Sequence, residues 1–197
     1  MSIKTDHVLD AKGLACPMPI VKTKKAMKEV MPGQVIEVQA TDKGSLADIQ
    51  AWAKSSGHQY LGSTEEGEVL KHYLRKSGDA EAKEDKNFPH TVQNEEIIQK
   101  LDAGEDVVIL DVREPAEYTF GHIPGAVSIP LGELEDRMDE ISKDKEIYVV
   151  CRTGSRSDLA SKQMEEKGFK NIKNVVQGMV EWSGPLERIN NNSNRRN

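Results

Sequence analysis

The sequence predicts two α/β domains in tandem, and three observations carry that prediction. Residues 1–76 read as strand, helix, strand, helix and then two strands, which predicts a two-layer β-α-β-α-β-β sandwich with both helices on one face of the sheet. Residues 77–87, Ser-Gly-Asp-Ala-Glu-Ala-Lys-Glu-Asp-Lys-Asn, hold no large apolar side chain and cannot join a core, so they predict a flexible acidic linker. Residues 88–187 alternate helical patterns with continuous apolar runs, the signature of a parallel sheet covered on both faces in a three-layer domain. Residues 188–197 form a polar tail. At 197 residues the chain is long enough for each of two domains to bury its own core.

In the first part, residues 8–10 form a short strand. The helix that follows places Ile20, Met27 and Val30 on one side and Lys22, Lys25, Lys28 and Glu29 on the other, and Pro32-Gly33 ends it. From Gln34 to Thr41 the residues alternate, with Ile36, Val38 and Ala40 on the inner face of a half-buried strand and Glu37 and Gln39 outside. Ser45 is positioned to cap a second helix with Leu46, Ile49 and Trp52 or Ala53 as its apolar stripe, stopped by Ser55-Ser56-Gly57. Residues 58–63 and 68–75 flank Glu65-Glu66-Gly67 as a hairpin.

In the second part, Asn94 caps a helix over 95–101. A strand follows at 107–112, then a helical segment at 131–141, a strand at 146–150, a helix at 157–167 and a strand at 172–176. Ligands of such sheets bind at the carboxyl ends of the strands.

Composition narrows the function classes. The net charge is −6, with 30% charged residues, which describes an ordinary soluble chain with no basic excess for nucleic acid. No apolar run reaches membrane-spanning length and the N-terminus is polar, so the expected location is the cytoplasm. The only cysteines, Cys16 and Cys151, are too few for a disulfide scaffold and lack zinc-site spacing, so no metal is expected.

Cys151-Arg152-Thr153-Gly154-Ser155-Arg156-Ser157 sits directly after an apolar strand and directly before a helix. A strand that turns at once into a helix makes a cup of backbone N–H groups at the positive end of a helix dipole, which holds an anion. A cysteine at the lip of such a cup, beside arginine, is favoured as the nucleophilic thiolate. The competing reading is a buried, inert cysteine. The second part resembles the single-domain rhodanese sulfurtransferases. The residues that carry the resemblance are Leu110-Asp111-Val112-Arg113-Glu114, Glu117, Gly121-His122-Ile123-Pro124-Gly125-Ala126, Ile129-Pro130, the Cys151 loop, Gly178 and Trp182. It implies that Cys151 accepts a sulfane sulfur and holds it as a persulfide, with no cofactor beyond that covalent intermediate.

Four residues separate Cys151 from Arg156, one fewer than in the related dual-specificity phosphatases, so the ring suits one added sulfur better than a phosphoryl group. The loop residues Arg152, Thr153, Gly154, Ser155 and Arg156 are the expected substrate cradle, with Arg152 recruiting anions at the mouth. Arg156 is expected to fix the loop by pairing with Glu117. Asp111 and Arg113 are expected to set loop geometry, and His122 to anchor a turn rather than move protons. Where many rhodaneses have two glycines this chain has Gln177-Gly178, which predicts a different loop before Trp182.

Asp10, Gly13, Leu14 and Cys16-Pro17-Met18-Pro19 ahead of an amphipathic helix resemble the TusA-like (SirA-like) sulfur carriers. Proline fits a first helical turn without losing a hydrogen bond, so Pro17 and Pro19 are expected to hold Cys16 at a helix N-terminus where the dipole favours its thiolate or persulfide. Together the resemblances imply a relay in which sulfur passes between Cys151 and Cys16, in either direction. The implied partners are a sulfane-sulfur donor, thiosulfate or a persulfide, and a thiol acceptor that includes the possibility of another sulfur-carrier protein. Eleven linker residues reach about 35–40 Å when extended and average roughly 15–20 Å when flexible, which gives an effective concentration of about millimolar. The alternative is a thiol redox sensor using the same two cysteines.

Overall fold

The computed structural model describes residues 2–78 and 86–189, so residues 79–85 of the predicted linker and residues 190–197 of the predicted tail lie outside the described residues. Among the described residues the chain divides into two compact units, residues 2–78 and residues 86–189. Among the described residues no helix is long and apolar enough to cross a membrane.

The first unit is a four-stranded sheet of order β1-β2-β4-β3, built from β1 (His7–Asp10), β2 (Val35–Ala40), β3 (Gln59–Glu66) and β4 (Val69–Arg75). β1 runs parallel to β2 and the other pairs are antiparallel. The helices are α1 (Met18–Ala26) and α2 (Ser45–Ser55). Ile36 and Val38 from β2, Leu74 from β4, Ile49 and Ala53 from α2, and Met27 and Val30 after α1 make one buried cluster on the predicted inner face of β2, but Glu37, expected outside, is buried as well, so the strand is covered beyond its inner face. Burying each of the Ile, Val, Leu and Met side chains contributes about 1.5–3 kcal/mol.

Local details depart from expectation. α1 ends at Ala26 rather than at Pro32, yet Met27 and Val30 stay buried from the turns that follow. Ser45 does not cap α2: Gly44 occupies the cap position, and the Ser45 hydroxyl is turned inward to bond His72 Nε2 at 3.0 Å. Leu46, expected in the apolar stripe, points outward. The hairpin turn falls after Glu66, because Gly67 at φ +64 supplies the conformation a two-residue hairpin connection needs.

The second unit is a five-stranded, all-parallel sheet of order β5-β9-β8-β6-β7, with β5 (Thr91–Val92), β6 (Val108–Asp111), β7 (Val127–Ser128), β8 (Ile147–Val150) and β9 (Ile172–Val175). α3 (Asn94–Asp102), α4 (Pro115–Phe120), α5 (Leu134–Arg137) and α6 (Ser155–Glu166) connect the strands. Leu110, Ile147 and Val149 join Leu134, Ala160, Met164 and Phe169 in one cluster; Ile109, Tyr148 and Val150 join Ile97, Ile123 and Val175 in another. Alternate residues of single strands feed separate cores, which is why these strands read as unbroken apolar runs. The helical segment predicted at 131–141 is a tight turn, one turn of α-helix and another tight turn, and it keeps Leu134 and Met138 buried. Asn94 begins α3 rather than capping it. The Gln177 Oε1 atom accepts the Asn94 N–H at 2.8 Å, so the glutamine that stands where a second glycine was expected secures that helix end.

Candidate active site

Cys151 follows β8 directly, at the carboxyl end of a central strand. It is fully buried, so it lies at the floor of the cup and not at its lip, which corrects that part of the expectation. The Gly154 N–H donates to Cys151 Sγ at 3.1 Å, and Ser157 Oγ lies 3.4 Å from the same sulfur. Gly154 has φ +90 and sits directly before α6, which starts two residues earlier than expected. A Cβ at Gly154 would lie 2.6 Å from Val176 O, so only glycine lets the chain turn here and aim its N–H at the sulfur. Loop and helix N-terminus thus converge on Sγ and favour negative charge there.

The two arginines of the loop have different tasks. Arg156 forms a two-pronged ion pair with Glu117, at 2.8 and 2.9 Å, and the Glu117 carboxylate is buried. Glu117 Oε2 also accepts the Glu114 N–H at 2.9 Å in the capping box of α4. Arg156 is therefore spent on tying the loop to α4, in the geometry that charge complementarity predicts. The Arg152 guanidinium makes no hydrogen bond or ion pair among the described residues, which leaves its charge available to an incoming anion. The Arg152 main chain is held, since its carbonyl accepts the Val180 N–H at 3.0 Å, and the Cys151 carbonyl accepts that of Met179 at 2.8 Å.

Arg113 donates to both Asp111 oxygens and to the Gly121 carbonyl at 2.7 Å, closing the turn after β6. His122 is an anchor: its Nδ1 bonds the Tyr118 carbonyl at 2.7 Å and its ring stacks on Tyr118 at 3.7 Å. Lys86, expected in the linker, donates to the Thr153 carbonyl and to the Val176 carbonyl at 3.1 Å, and Phe88 N–H donates to Asp158 Oδ1 at 2.8 Å. Lys86 near the end of the predicted linker is thus stitched to the Cys151 loop, and Phe88 just after the linker to α6.

Cys16 occupies a different kind of site. Pro17 is the cap residue of α1, joined to Cys16 by a cis peptide, and Pro19 lies in the first turn, as the spacing requires. The expected thiolate-favouring surroundings are not there. Cys16 Sγ donates to Asp48 Oδ2 at 2.5 Å, and Cys16 N–H donates to Asp42 Oδ2 at 3.0 Å. The hydrogen bond to Asp48, then desolvation and the charges of Asp48 and Asp42, push the Cys16 thiol above its ordinary value. A carboxylate in direct contact outweighs a helix end that lies further off. Lys22, a possible counter-charge, reaches instead to the Asp10 carbonyl at 3.4 Å. Asp42 and Asp48 escaped the sequence reading because nothing in their spacing points at a cysteine 26 and 32 residues away.

Residues 7–76 match the family model described as Sulfurtransferase TusA, and residues 93–185 match that of the Rhodanese-like domain. YrkF of Bacillus subtilis (strain 168) is 53% identical over 185 residues, covering 94% of this chain and 100% of that protein. The "Sulfur carrier protein TusA" of Allochromatium vinosum is 44% identical over 72 residues, 36% of this chain and 95% of that one. The "Sulfurtransferase" of the same organism is 35% identical over 92 residues, 47% of this chain and 86% of that one. The chain therefore belongs to the sulfur carrier and sulfurtransferase family, with a TusA domain followed by a rhodanese-like domain in one polypeptide.

Proposed function

We propose that Cys151 takes a sulfane sulfur from thiosulfate or a persulfide, and that sulfur then passes between Cys151 and Cys16 on its way to a thiol acceptor. The observation that carries this reading is the Gly154 N–H aimed at Cys151 Sγ from 3.1 Å at the head of α6. With thiosulfate, the Cys151 thiolate attacks the outer sulfur. A bond forms between the two sulfurs, the sulfur–sulfur bond of thiosulfate breaks, and sulfite leaves with that electron pair. The persulfide anion is then held by the loop amides, with Arg152 drawing the donor in.

Sulfur transfer between the cysteines follows the same balance. The thiolate of one attacks the outer sulfur of the other's persulfide, and the departing cysteine leaves as a thiolate that takes up a proton. Eleven linker residues give an effective concentration of about millimolar, which favours transfer within one chain. A thiol redox sensor would use the same two cysteines; thiosulfate turnover lost in Cys151→Ser supports sulfur transfer, and stoichiometric oxidation without turnover supports the sensor.

Intact-mass measurement after incubation with thiosulfate tests this reading. The expected result is one added sulfur on the chain, absent in Cys151→Ser. An unchanged mass with thiosulfate and with persulfide donors overturns it.

A further inference from the structure

Asn174 lies fully buried on β9, beside the strand that delivers Cys151, and both ends of its amide are engaged. Its Oδ1 accepts the Ser157 hydroxyl at 2.6 Å, and its Nδ2 donates to the Gly154 carbonyl at 3.2 Å. Turning the amide over would set its oxygen against the Gly154 carbonyl oxygen, so the two partners fix its orientation. Ser157 has one proton, and Asn174 holds it. The face that Ser157 presents to Cys151 Sγ at 3.4 Å is then a lone pair, which accepts from a thiol and repels a thiolate. Gly154 N–H, 3.1 Å from the same sulfur, has the opposite preference.

Sγ, Ser157, Asn174 and Gly154 close a buried ring of hydrogen bonds behind the nucleophile. From this geometry we infer that Ser157 and Asn174 are a positioning pair that sets the protonation of Cys151, Asn174 keeping the Ser157 proton off the sulfur until the thiol ionises. This rests on the reading of Cys151 as the sulfur-accepting nucleophile. When the thiol proton leaves for solvent, the Ser157 hydroxyl turns to donate to the anionic sulfur and gives up its bond to Asn174. No covalent bond to either residue forms.

The charged groups around the loop are Arg152 and Arg156 within it, Glu117 on α4 paired with Arg156, and Lys86 on the Thr153 carbonyl. Asp158 on α6 pairs with Lys162, and Asp111 pairs with Arg113 at the end of β6. Neither substitution below changes any of them.

The pair makes a prediction of opposite sign at its two members. Ser157→Ala removes the donor that the thiolate recruits and raises the Cys151 pKa by about one pH unit, the scale of a hydrogen bond to a charged group. Asn174→Leu frees the Ser157 hydroxyl to face the sulfur permanently and lowers it by a similar amount. A loosened loop shifts both variants the same way.

The experiment is iodoacetamide alkylation rate against pH in the full chain carrying Cys16→Ser, so that a single thiol reports. Opposite shifts support the pair; shifts of one sign, or none, overturn it. If Asn174→Leu does not fold, Ser157→Ala decides alone, an upward shift supporting the pair and an unchanged pKa overturning it. Sulfur uptake by the Cys16→Ser parent, read by intact mass, is scored separately, and its absence rejects the sulfur-transfer reading whatever the alkylation profiles show.

Discussion

Cys16 Sγ hands its hydrogen bond to Asp48 Oδ2 across 2.5 Å, while Asp42 holds the Cys16 backbone N–H at 3.0 Å. The Cys16 thiol thus keeps its proton in contact with a carboxylate. Asp48→Asn removes the charge and the strongest influence holding the thiol up, so the Cys16 pKa falls and alkylation at neutral pH accelerates. Iodoacetamide kinetics in a Cys151→Ser chain measure this, and a slower or unchanged rate contradicts it.

Glu117 is at once the buried partner of Arg156 and the acceptor of the Glu114 N–H in the capping box of α4. Glu117→Ala removes the two-pronged carboxylate partner of the largely buried Arg156 and costs about 3–5 kcal/mol. Glu117→Gln keeps the shape but not the charge and costs less. Both lower the denaturant midpoint and the thiosulfate turnover, with the alanine variant the worse; a Glu117→Gln chain with wild-type stability and turnover means that the pair does not hold the loop.

Gly178 packs against the back of the Cys151 loop. A Cβ there would lie 2.5 Å from the Arg152 carbonyl oxygen and 2.8 Å from that of Cys151, at a φ of +66. Gly178→Ala is expected to cost at least about 1–3 kcal/mol and to reduce turnover tenfold or more by displacing the loop. Thermal unfolding and thiosulfate assays on the same preparation read both effects.

His72 lies buried in the first unit between Ser45 Oγ at 3.0 Å and Tyr60 OH at 3.1 Å, and burial pushes its pKa down to about 4. An unfolded chain binds that proton near pH 6.5. The neutral ring therefore contributes stability that is fully present above about pH 6.5 and is lost as pH falls towards 4, by up to about 3 kcal/mol. Unfolding of the first unit followed against pH shows this slope, and His72→Gln flattens it.

The folding pattern was legible where periodicity is strong. β2 and the runs at β6 and β8 announced their burial, and the two-layer and three-layer architectures followed from element order. β5 and β7, two residues each, and α4, six residues, fall below the length at which a pattern shows. The site divides in the same way. Cys151, its glycine and its arginines are contiguous in the chain and so could be read together. Asn174, Asp42 and Asp48 reach their cysteines only through sheet pairing and helix placement, and the short-range rule that puts an anion-friendly helix end beside Cys16 was overruled by two carboxylates arriving from elsewhere.

The central claim is that the two cysteines exchange sulfur. Load the full chain with thiosulfate labelled in its outer sulfur, remove free donor, digest without reductant, and follow the label on the Cys16 and Cys151 peptides in a single turnover. The account predicts label on both peptides in the wild-type chain and on Cys151 alone in Cys16→Ser. Label confined to one cysteine in the wild-type chain, with the other never gaining sulfur, contradicts it.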